Sequence, residues 1–557
     1  MSSLAASDPS GAGRRAARLG AAAIALATTL AYLGSFRGVL VLDDLGTIAR
    51  NPTLQGLWSS LEPPRSGLPT AGRPVANFSF ALNAAISGGR LWSFHLLNLT
   101  IHVGAALALF GILRRVLRPY SAPLAAFAAA LLWAVHPLNT AAVTYLSQRV
   151  ESLMGLFFLA TLYAYLRFAE AQDAGRPGAA ARWAVLSVGA CLLGVGTKEV
   201  IVAAPLLVLL YDRGFLAGSF RGAWRRRGAC LSALFATWIP LAALVARTGS
   251  RGGTAGFGSA VPWWAYALTQ VRAVAHYLRL AFWPHPLIAD YGRILGGPPA
   301  ALARDFALLA SLVCVGAVLL VKRSPWGFLA AWFFVILAPS SSVVPVATEI
   351  IAEQRMYLPL AAVVTAAVCG TVALGRRCAA RLRWTRAGTA AAGSMLLAGA
   401  AAALAAVTFA RNRVYRSPLA FWSDAAAEVP GNAGAWNNLG NALADRGRIG
   451  PAEADYRRSL SLAPAFSDAH INLGNLLLRT GRPAEAMGHY EAALKYRAGD
   501  RRIRRQLGIA AYRAGNARMD AGRLNAAAAD YAVTVRMSPE FADARVNYGG
   551  VLAELGR

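Results

Sequence analysis

Between residues 19 and 409 the chain alternates apolar runs of helix-spanning length with short loops. Such runs stand at 19–36, 92–113, 120–136, 150–169, 182–197, 199–212, 229–247, 303–321, 326–339, 356–375 and 387–410. Each predicts a helix, because a helix satisfies its own backbone in hydrocarbon. The stretch 264–283 is different. It carries Arg272, His276 and Arg279 among apolar residues, and predicts an amphipathic helix lying on the membrane surface. The pattern therefore predicts an all-α fold: a polytopic membrane helix bundle of about eleven spans.

From about residue 430 the pattern changes to a repeat. Trp436, Leu439, Gly440, Gly447, Ala452, Tyr456 and Pro464 recur as His470, Leu473, Gly474, Gly481, Ala486, Tyr490 and Ala498. The period is 34 residues, the length of a tetratricopeptide repeat. A third unit carries Gly515, Gly522, Ala527, Tyr531 and Pro539, with seven extra residues before it, two helical turns. A fourth begins at Ala542 and stops after Arg557. Its absent second helix predicts an apolar edge that takes a partner or a membrane contact, or a truncated chain. The expected organisation is a cytoplasmic N-terminus (1–18), a transmembrane domain (19–410) with a first outer loop (37–91), a linker (411–432), and a solenoid of three repeats and a partial fourth (433–557).

Charge sets the orientation. The 557 residues carry a formal charge of +29, and their mean hydropathy is +0.43. The arginines punctuate apolar segments and form no continuous basic domain, which argues for a membrane and against nucleic acid. Arg14, Arg15 and Arg18, the 114–118 cluster, Arg176 and Arg182, Arg225 to Arg227, Lys322 with Arg323, and the 376–386 cluster fall in alternate loops when 264–283 does not cross. The N-terminus is then cytoplasmic and the C-terminus outside. A cleaved signal peptide is the competing reading of residues 14–36; no small-x-small site follows the run. The five cysteines make no CxxC pair, so neither zinc nor a disulfide framework is implied.

In this topology the unusual polar residues collect on the outer side. Asp43 and Asp44 lie in the first outer loop. His95, Asn98 and His102 share one face near the outer end of the second span. His136 stands at the next outer turn, with Arg149 and Glu151 entering the following span. Lys198 and Glu199 come at the third turn, and Glu353, Arg355 and Tyr357 at the fifth. Each has a plainer role. One aspartate can cap the following helix, His136 can serve a turn before Pro137, Arg355 can snorkel, and Lys198 can neutralise Glu199. Ionisable groups at membrane depth nevertheless cost about 3 kcal/mol each at mid-helix, and so many on one side point to a site. The set suits a reaction on a lipid phosphate. A carboxylate can take a proton from an incoming hydroxyl, its neighbour can raise its pKa, and cations can hold the departing phosphate. The scattered acids give no metal-ligand set, so no metal site is assigned and dependence on a divalent cation is left open.

Seven segments occur in a family's order: "DD" followed by "IARNP", "GRPVANFSFALN" (72–83), "FHLLNLTIH" (94–102), "HPLNTAAVTYLSQRVES" (136–152), "TKE" (197–199), "YLRLAFWPHPL" (277–287) and "EQRMYLP" (353–359). With the C-terminal repeats, the chain resembles the transmembrane and tetratricopeptide-repeat O-mannosyltransferases and their bacterial relatives, of the GT-C class of glycosyltransferases. The resemblance implies a GT-C-like bundle and inverting transfer of a sugar from a polyprenyl-phosphate donor to a protein hydroxyl at the outer face of the plasma membrane. It puts the base in the first outer loop, at Asp43 or Asp44, with Asp43 placed first. Arg355, Lys198 and Arg149 would bind the donor phosphate. His95, Asn98, His102, His136 and Tyr357 would shape the sugar or acceptor site, and Glu151, Glu199 and Glu353 would orient the cations. The chain departs from the family at Asn139-Thr140-Ala141-Ala142, where an acid often follows the His-Pro turn, and at Val150, where a small residue is usual. The repeats would hold the acceptor protein. Two other function classes compete: a membrane-anchored repeat scaffold without catalysis, which has no use for the acidic loop, and a transporter of lipid-linked sugar, which needs charges inside several spans.

Overall fold

A computed structural model describes residues 11–64, 68–120, 122–249, 256, 261–292, 296–342, 344–346 and 349–557. The chain divides into two compact units, residues 1–287 with 293–417, and residues 288–292 with 418–557. The described residues form helices and connecting loops, an all-α architecture.

The first unit runs α1 (Gly11–Tyr32), α2 (Pro74–Ser87), α3 (Leu91–Val116), α4 (Pro123–Ala134), α5 (Thr140–Thr144), α6 (Arg149–Asp173), α7 (Pro177–Val195), α8 (Ala203–Tyr211), α9 (Phe220–Ala236), α10 (Trp238–Thr248), α11 (Trp263–Phe282), α12 (Pro299–Val321), α13 (Pro325–Leu337), α14 (Pro359–Arg381) and α15 (Arg386–Arg411). Proline opens α2, α4, α7, α12, α13 and α14. There its missing N–H has no intrahelical partner to lose, and its fixed φ suits the turn.

Among the described residues, eight helices are long and apolar enough to cross a membrane; a ninth crossing results if the pair 123–134 and 137–144, bent by 48°, is one span. All eleven predicted runs fall on helices, but three are short: α4 has 12 residues, α8 has 9 and α13 has 13. Helix α8 gains length from its neighbours. A 3-10 turn, Glu199–Val202, leads into it and a π-turn, Asp212–Leu216, continues it. Its ends are tied to opposite ends of α6. Lys198 pairs with Glu151 in the first turn of α6. Arg227 bridges Asp212 (3.2 Å) and Asp173 (2.8 Å), the last residue of α6. The segment 198–212 runs beside α6 from Glu151 to Tyr165, whose hydroxyl donates to Asp212 at 2.6 Å, and Arg227 carries the link on to Asp173. Helix α11 is not among the eight. It buries one stripe, Tyr266, Gln270, Ala273, Tyr277 and Leu280, and exposes Trp263, Trp264 and Phe282.

The second unit is a series of antiparallel helix pairs. α16 (Pro418–Glu428) precedes α17 (Ala433–Ala444) with α18 (Ile449–Leu462), α19 (Ser467–Arg479) with α20 (Pro483–Tyr496), α21 (Arg501–Asp520) with α22 (Leu524–Met537), and α23 (Ala542–Glu554). The range 411–432, expected to be a linker, is largely helical, holding a 3-10 turn at Asn412–Arg416 and then α16. The seven-residue insertion lengthens α21, which has 20 residues where α19 has 13. In each pair a glycine admits a tyrosine ring from the partner helix: a Cβ on Gly440, Gly474 or Gly515 would stand 2.6, 2.9 or 2.8 Å from Tyr456, Tyr490 or Tyr531. The same hydroxyls donate to Asn441, Asn475 and Asn516 at 2.8, 2.7 and 2.7 Å.

Arg227→Ala removes the cation facing Asp212, which is fully buried. The expected cost is about 3–5 kcal/mol, read as a lower thermal midpoint in detergent. Adding Asp212→Asn should recover part of it; a double variant no more stable than Arg227→Ala would remove the ion pair as the cause.

Candidate functional site

The loop between α1 and α2 turns sharply before its acids. Leu42 adopts φ +46°, the left-handed region that a branched side chain rarely occupies. The turn separates the two carboxylates. Asp44 points inward and is fully buried; its carboxylate accepts the backbone N–H groups of Val41 (3.1 Å) and Ser147 (2.7 Å). Asp43 is half-buried. Its N–H donates to the Tyr145 hydroxyl at 2.9 Å, and its carbonyl accepts from Thr47 at 2.8 Å, opening the π-turn Leu45–Ala49. Burial pushes the Asp44 carboxyl up to about 7, the two N–H donors oppose the shift, and the charge of Asp43 adds to it. Burial, then the charges of Asp43, Asp44 and Glu349, hold the Tyr145 phenol far above its ordinary range, so it stays a neutral hydroxyl.

The other segments close around this loop. Asn51, from "IARNP", donates to the Asn77 side chain at 2.9 Å, and Asn77 donates to the Ser60 carbonyl at 2.8 Å. The N-terminus of α2 sits on the 196–199 turn, where Val75 and Ala76 donate to the Gly196 carbonyl at 2.9 and 3.2 Å. Arg73 pairs with Glu199 at 3.1 Å, beside the Lys198–Glu151 pair. Arg149 is fully buried. Its guanidinium donates to Asn98 Oδ1 (2.6 Å), the Ser79 carbonyl (3.0 Å) and the Phe94 carbonyl (3.1 Å), and stacks over Phe80 with 4.2 Å to the ring centre.

The 349–357 segment is organised by α11. Arg355, also buried, donates to the Tyr266 hydroxyl (3.1 Å), the Ile350 carbonyl (3.2 Å) and the Glu349 carbonyl. Tyr277 accepts from the Ala352 N–H at 2.7 Å, and Gln270 donates to the Ile350 carbonyl at 2.8 Å. Glu353 is buried in the same turn. The turn packs against the 137–139 turn and α5, joining the last segment to the His-Pro segment.

The expected site residues thus fall into two groups. His102, His136, Asn98 and Tyr357 are inside the protein. His102 bonds the Tyr357 hydroxyl and the Ala134 carbonyl, both at 2.8 Å. His136 takes the Leu138 N–H on Nδ1 and donates from Nε2 to the Ala281 carbonyl at 3.1 Å. Asn98 joins Arg149 to the Val143 carbonyl. These side chains hold the segments together. His95 is also buried; Nε2 lies 3.3 Å from the Gly38 carbonyl, and among the described residues Nδ1 has no hydrogen-bond partner. Asp43, Lys198 and Glu199 keep partial exposure. Sequence reasoning missed Arg73, Tyr145, Ser147, Glu349 and the inner face of α11. The i, i+4, i+11 spacing of Tyr266, Gln270 and Tyr277 was the available signal for that face; Ser147 acts through its backbone and leaves none. Among the described residues no three His, Cys, Asp or Glu side chains group to hold a metal ion.

A tetratricopeptide-repeat family model matches residues 437–502, 471–517 and 512–557. The chain is similar to the protein O-mannosyl-transferase Tmtc2 of Drosophila melanogaster, 31% identical over 197 residues, covering 32% of this chain and 20% of that protein. It is similar to the protein O-mannosyl-transferase TMTC1 of Mus musculus, 30% identical over 208 residues, 34% of this chain and 22% of that one. With the protein O-mannosyl-transferase TMTC4 of Homo sapiens the identity is 28% over 204 residues, 32% of this chain and 27% of that one. The match therefore spans between a fifth and about a quarter of these relatives' length, and they bear the name of the family that the motifs resemble. A solved tetratricopeptide-repeat protein of Thermus thermophilus aligns with 32% of this chain and 96% of its own at 21% identity, with a TM-score of 0.16.

The Asp44 geometry sets a pH dependence. Its carboxyl rises from 3.8 to about 7 on folding. Between about pH 4 and pH 7 the unfolded chain ionises this group while the folded chain keeps its proton, so stability falls as pH rises, and levels off above 7. Asp44→Asn should flatten that slope in thermal melts across pH 4–8. An unchanged slope would remove Asp44 as its source.

Proposed function

We propose that the chain is a GT-C-type glycosyltransferase that moves a sugar from a polyprenyl-phosphate carrier to a protein hydroxyl, with inversion, at the outer face of the membrane. The observation that carries this reading is the division of labour in the first outer loop. Asp44 is pinned inside by two backbone donors, and Asp43 stands next to it at the surface of the site. The names of the relatives support the same reaction class.

In this reading Asp43 is the base. Its carboxylate takes the proton of the acceptor hydroxyl as that oxygen attacks the anomeric carbon. The anomeric C–O bond to the phosphate breaks on the opposite face, and the electron pair leaves with the polyprenyl phosphate. Its charge needs a cation more than an acid. Lys198 suits that role. It gives one of its three N–H donors to Glu151 and is partly exposed. Arg149 and Arg355 act one step back. Their guanidinium donors order α2, α3 and the 349–357 turn, which frame the site. His95 lies against Gly38, five residues before Asp43, on the side where sugar or acceptor would enter. The arginine bias of the loops supports a cytoplasmic N-terminus in the plasma membrane, with the repeats outside. There the repeats hold the acceptor polypeptide, the common use of such a groove.

Membranes carrying the full chain, incubated with polyprenyl-phosphate sugars and a Ser/Thr-containing acceptor, should show transfer. Asp43→Asn should reduce it by about 10²–10⁴-fold with the thermal midpoint unchanged, whereas Asp44→Asn should lower rate and melting behaviour together. Full activity in Asp43→Asn, or no transfer by wild type with any sugar tried, would overturn the assignment. Reporter fusions after residues 323 and 430 should read cytoplasmic and outer, respectively. Removing 430–557 should slow transfer to protein more than transfer to a short peptide; equal rates on both would leave the repeats without a role in acceptor binding.

A further inference from the structure

The first unit contains a cavity of about 270 Å³ between α3, α4, α8, α13 and α14. Its wall is made of Leu109, Leu113, Phe328, Trp332, Ala361 and similar apolar groups. It follows α14 from Ala361 to Arg376, about 22 Å at 1.5 Å per residue. Its strongly polar groups stand at one end, where Tyr120 and Arg376 line it. That end is remote from the acidic loop. Helix α3 starts beside it, with His95 against Gly38, and runs 26 residues to Val116, just before Tyr120. Helix α14 starts just after Tyr357 and ends at Arg381.

Charge at this end is unbalanced. No acidic residue occurs between Glu353 and Asp424, while Arg376, Arg377, Arg381, Arg383 and Arg386 crowd the end of α14 and the start of α15. The carboxylates whose charges bear on the cavity-lining Tyr211 are Glu170 and Asp212. Glu170 is already bridged by Arg115 at 3.0 Å and Arg167 at 3.3 Å, and Asp212 by Arg227 at 3.2 Å. Among the described residues no carboxylate pairs with Arg376. The cavity wall suits hydrocarbon and its one charged end suits an anion.

We propose that this cavity binds one anionic glycerophospholipid of the surrounding bilayer, with an acyl chain along α14 and its phosphate on Arg376. Basic pockets between spanning helices take anionic headgroups by this combination of field and apolar wall. A zwitterionic lipid fills the wall but leaves the arginines uncompensated. A polyprenyl-phosphate donor is disfavoured, because its head has to reach the acidic loop at the other end of α3 and α14. The bound lipid would fill the space that α8 and α13 leave inside the bundle. The preference for an anionic lipid over a zwitterionic one stands without the glycosyltransferase reading, and only the exclusion of the donor rests on it.

The test uses the full chain in neutral detergent, with lipid retention measured by native mass spectrometry. Phosphatidylglycerol and phosphatidylcholine of identical acyl chains are compared, and a polyprenyl phosphate is added as competitor. One phosphatidylglycerol per chain should be held about fivefold more tightly than phosphatidylcholine, the worth of one arginine near an anionic headgroup. Arg376→Gln should abolish that preference. Ala373→Trp, an exposed position on the cavity lining, should weaken both lipids while the lipid-free thermal midpoint stays that of wild type. Equal retention of the two lipids by wild type, a preference that survives Arg376→Gln, or displacement of phosphatidylglycerol by an equimolar polyprenyl phosphate would each overturn the proposal.

Discussion

The start of α6 is the point on which the first unit depends, and the buried Arg149 guanidinium is its centre. A charge removed from water there is tolerable only because its donors meet oxygens from α2 and α3 and its face meets an aromatic ring. Alternate residues around it extend the same scheme. Tyr145 holds Asp43, Ser147 holds Asp44, Arg149 holds α2 and α3, and Glu151 holds Lys198. Four chain segments that are distant in sequence are thus fixed by side chains and amides within one short stretch. Losing the guanidinium would leave the buried Asn98 Oδ1 without its donor, at a cost of about 1–3 kcal/mol.

This arrangement explains why two adjacent acids are useful. In the proposed reaction a single carboxylate between α1 and α2 would have to anchor the loop and act as base. With two, Asp44 anchors and Asp43 is presented. The left-handed Leu42 is the local strain that allows neighbours in sequence to face different environments. Several residues whose chemistry drew attention, His102, His136 and Asn98 among them, serve this framing by bonding carbonyls that the turns leave unpaired. In a bundle facing lipid, no water is at hand to do so.

Much of the fold was legible in the sequence. Apolar runs predicted the helices, because length and hydropathy fix a membrane helix almost without context. The repeat period predicted the helix pairs, and the seven extra residues before Tyr531 became the longer α21. Span number was less legible. A helix of 9 residues runs beside α6 from Glu151 to Tyr165 only because a 3-10 turn and a π-turn extend it and ion pairs secure both ends, and no hydropathy window reports that. The candidate site was legible as a list of residue types and order, but not as roles.

The sequence by itself determined that this is an all-helical membrane protein with a repeat tail, and that acids, histidines and cations gather near one set of helix ends. It could do so because hydropathy and periodicity are local properties. Only the tertiary structure decided that Asp44 is enclosed and Asp43 is presented, that Arg149 and Arg355 are committed to carbonyls, and that Arg73 stands beside Lys198. Those facts depend on which backbone N–H, carbonyl or ring meets each side chain across the bundle. Such partners come from residues far apart in the chain, and a backbone amide such as that of Ser147 looks the same in every sequence.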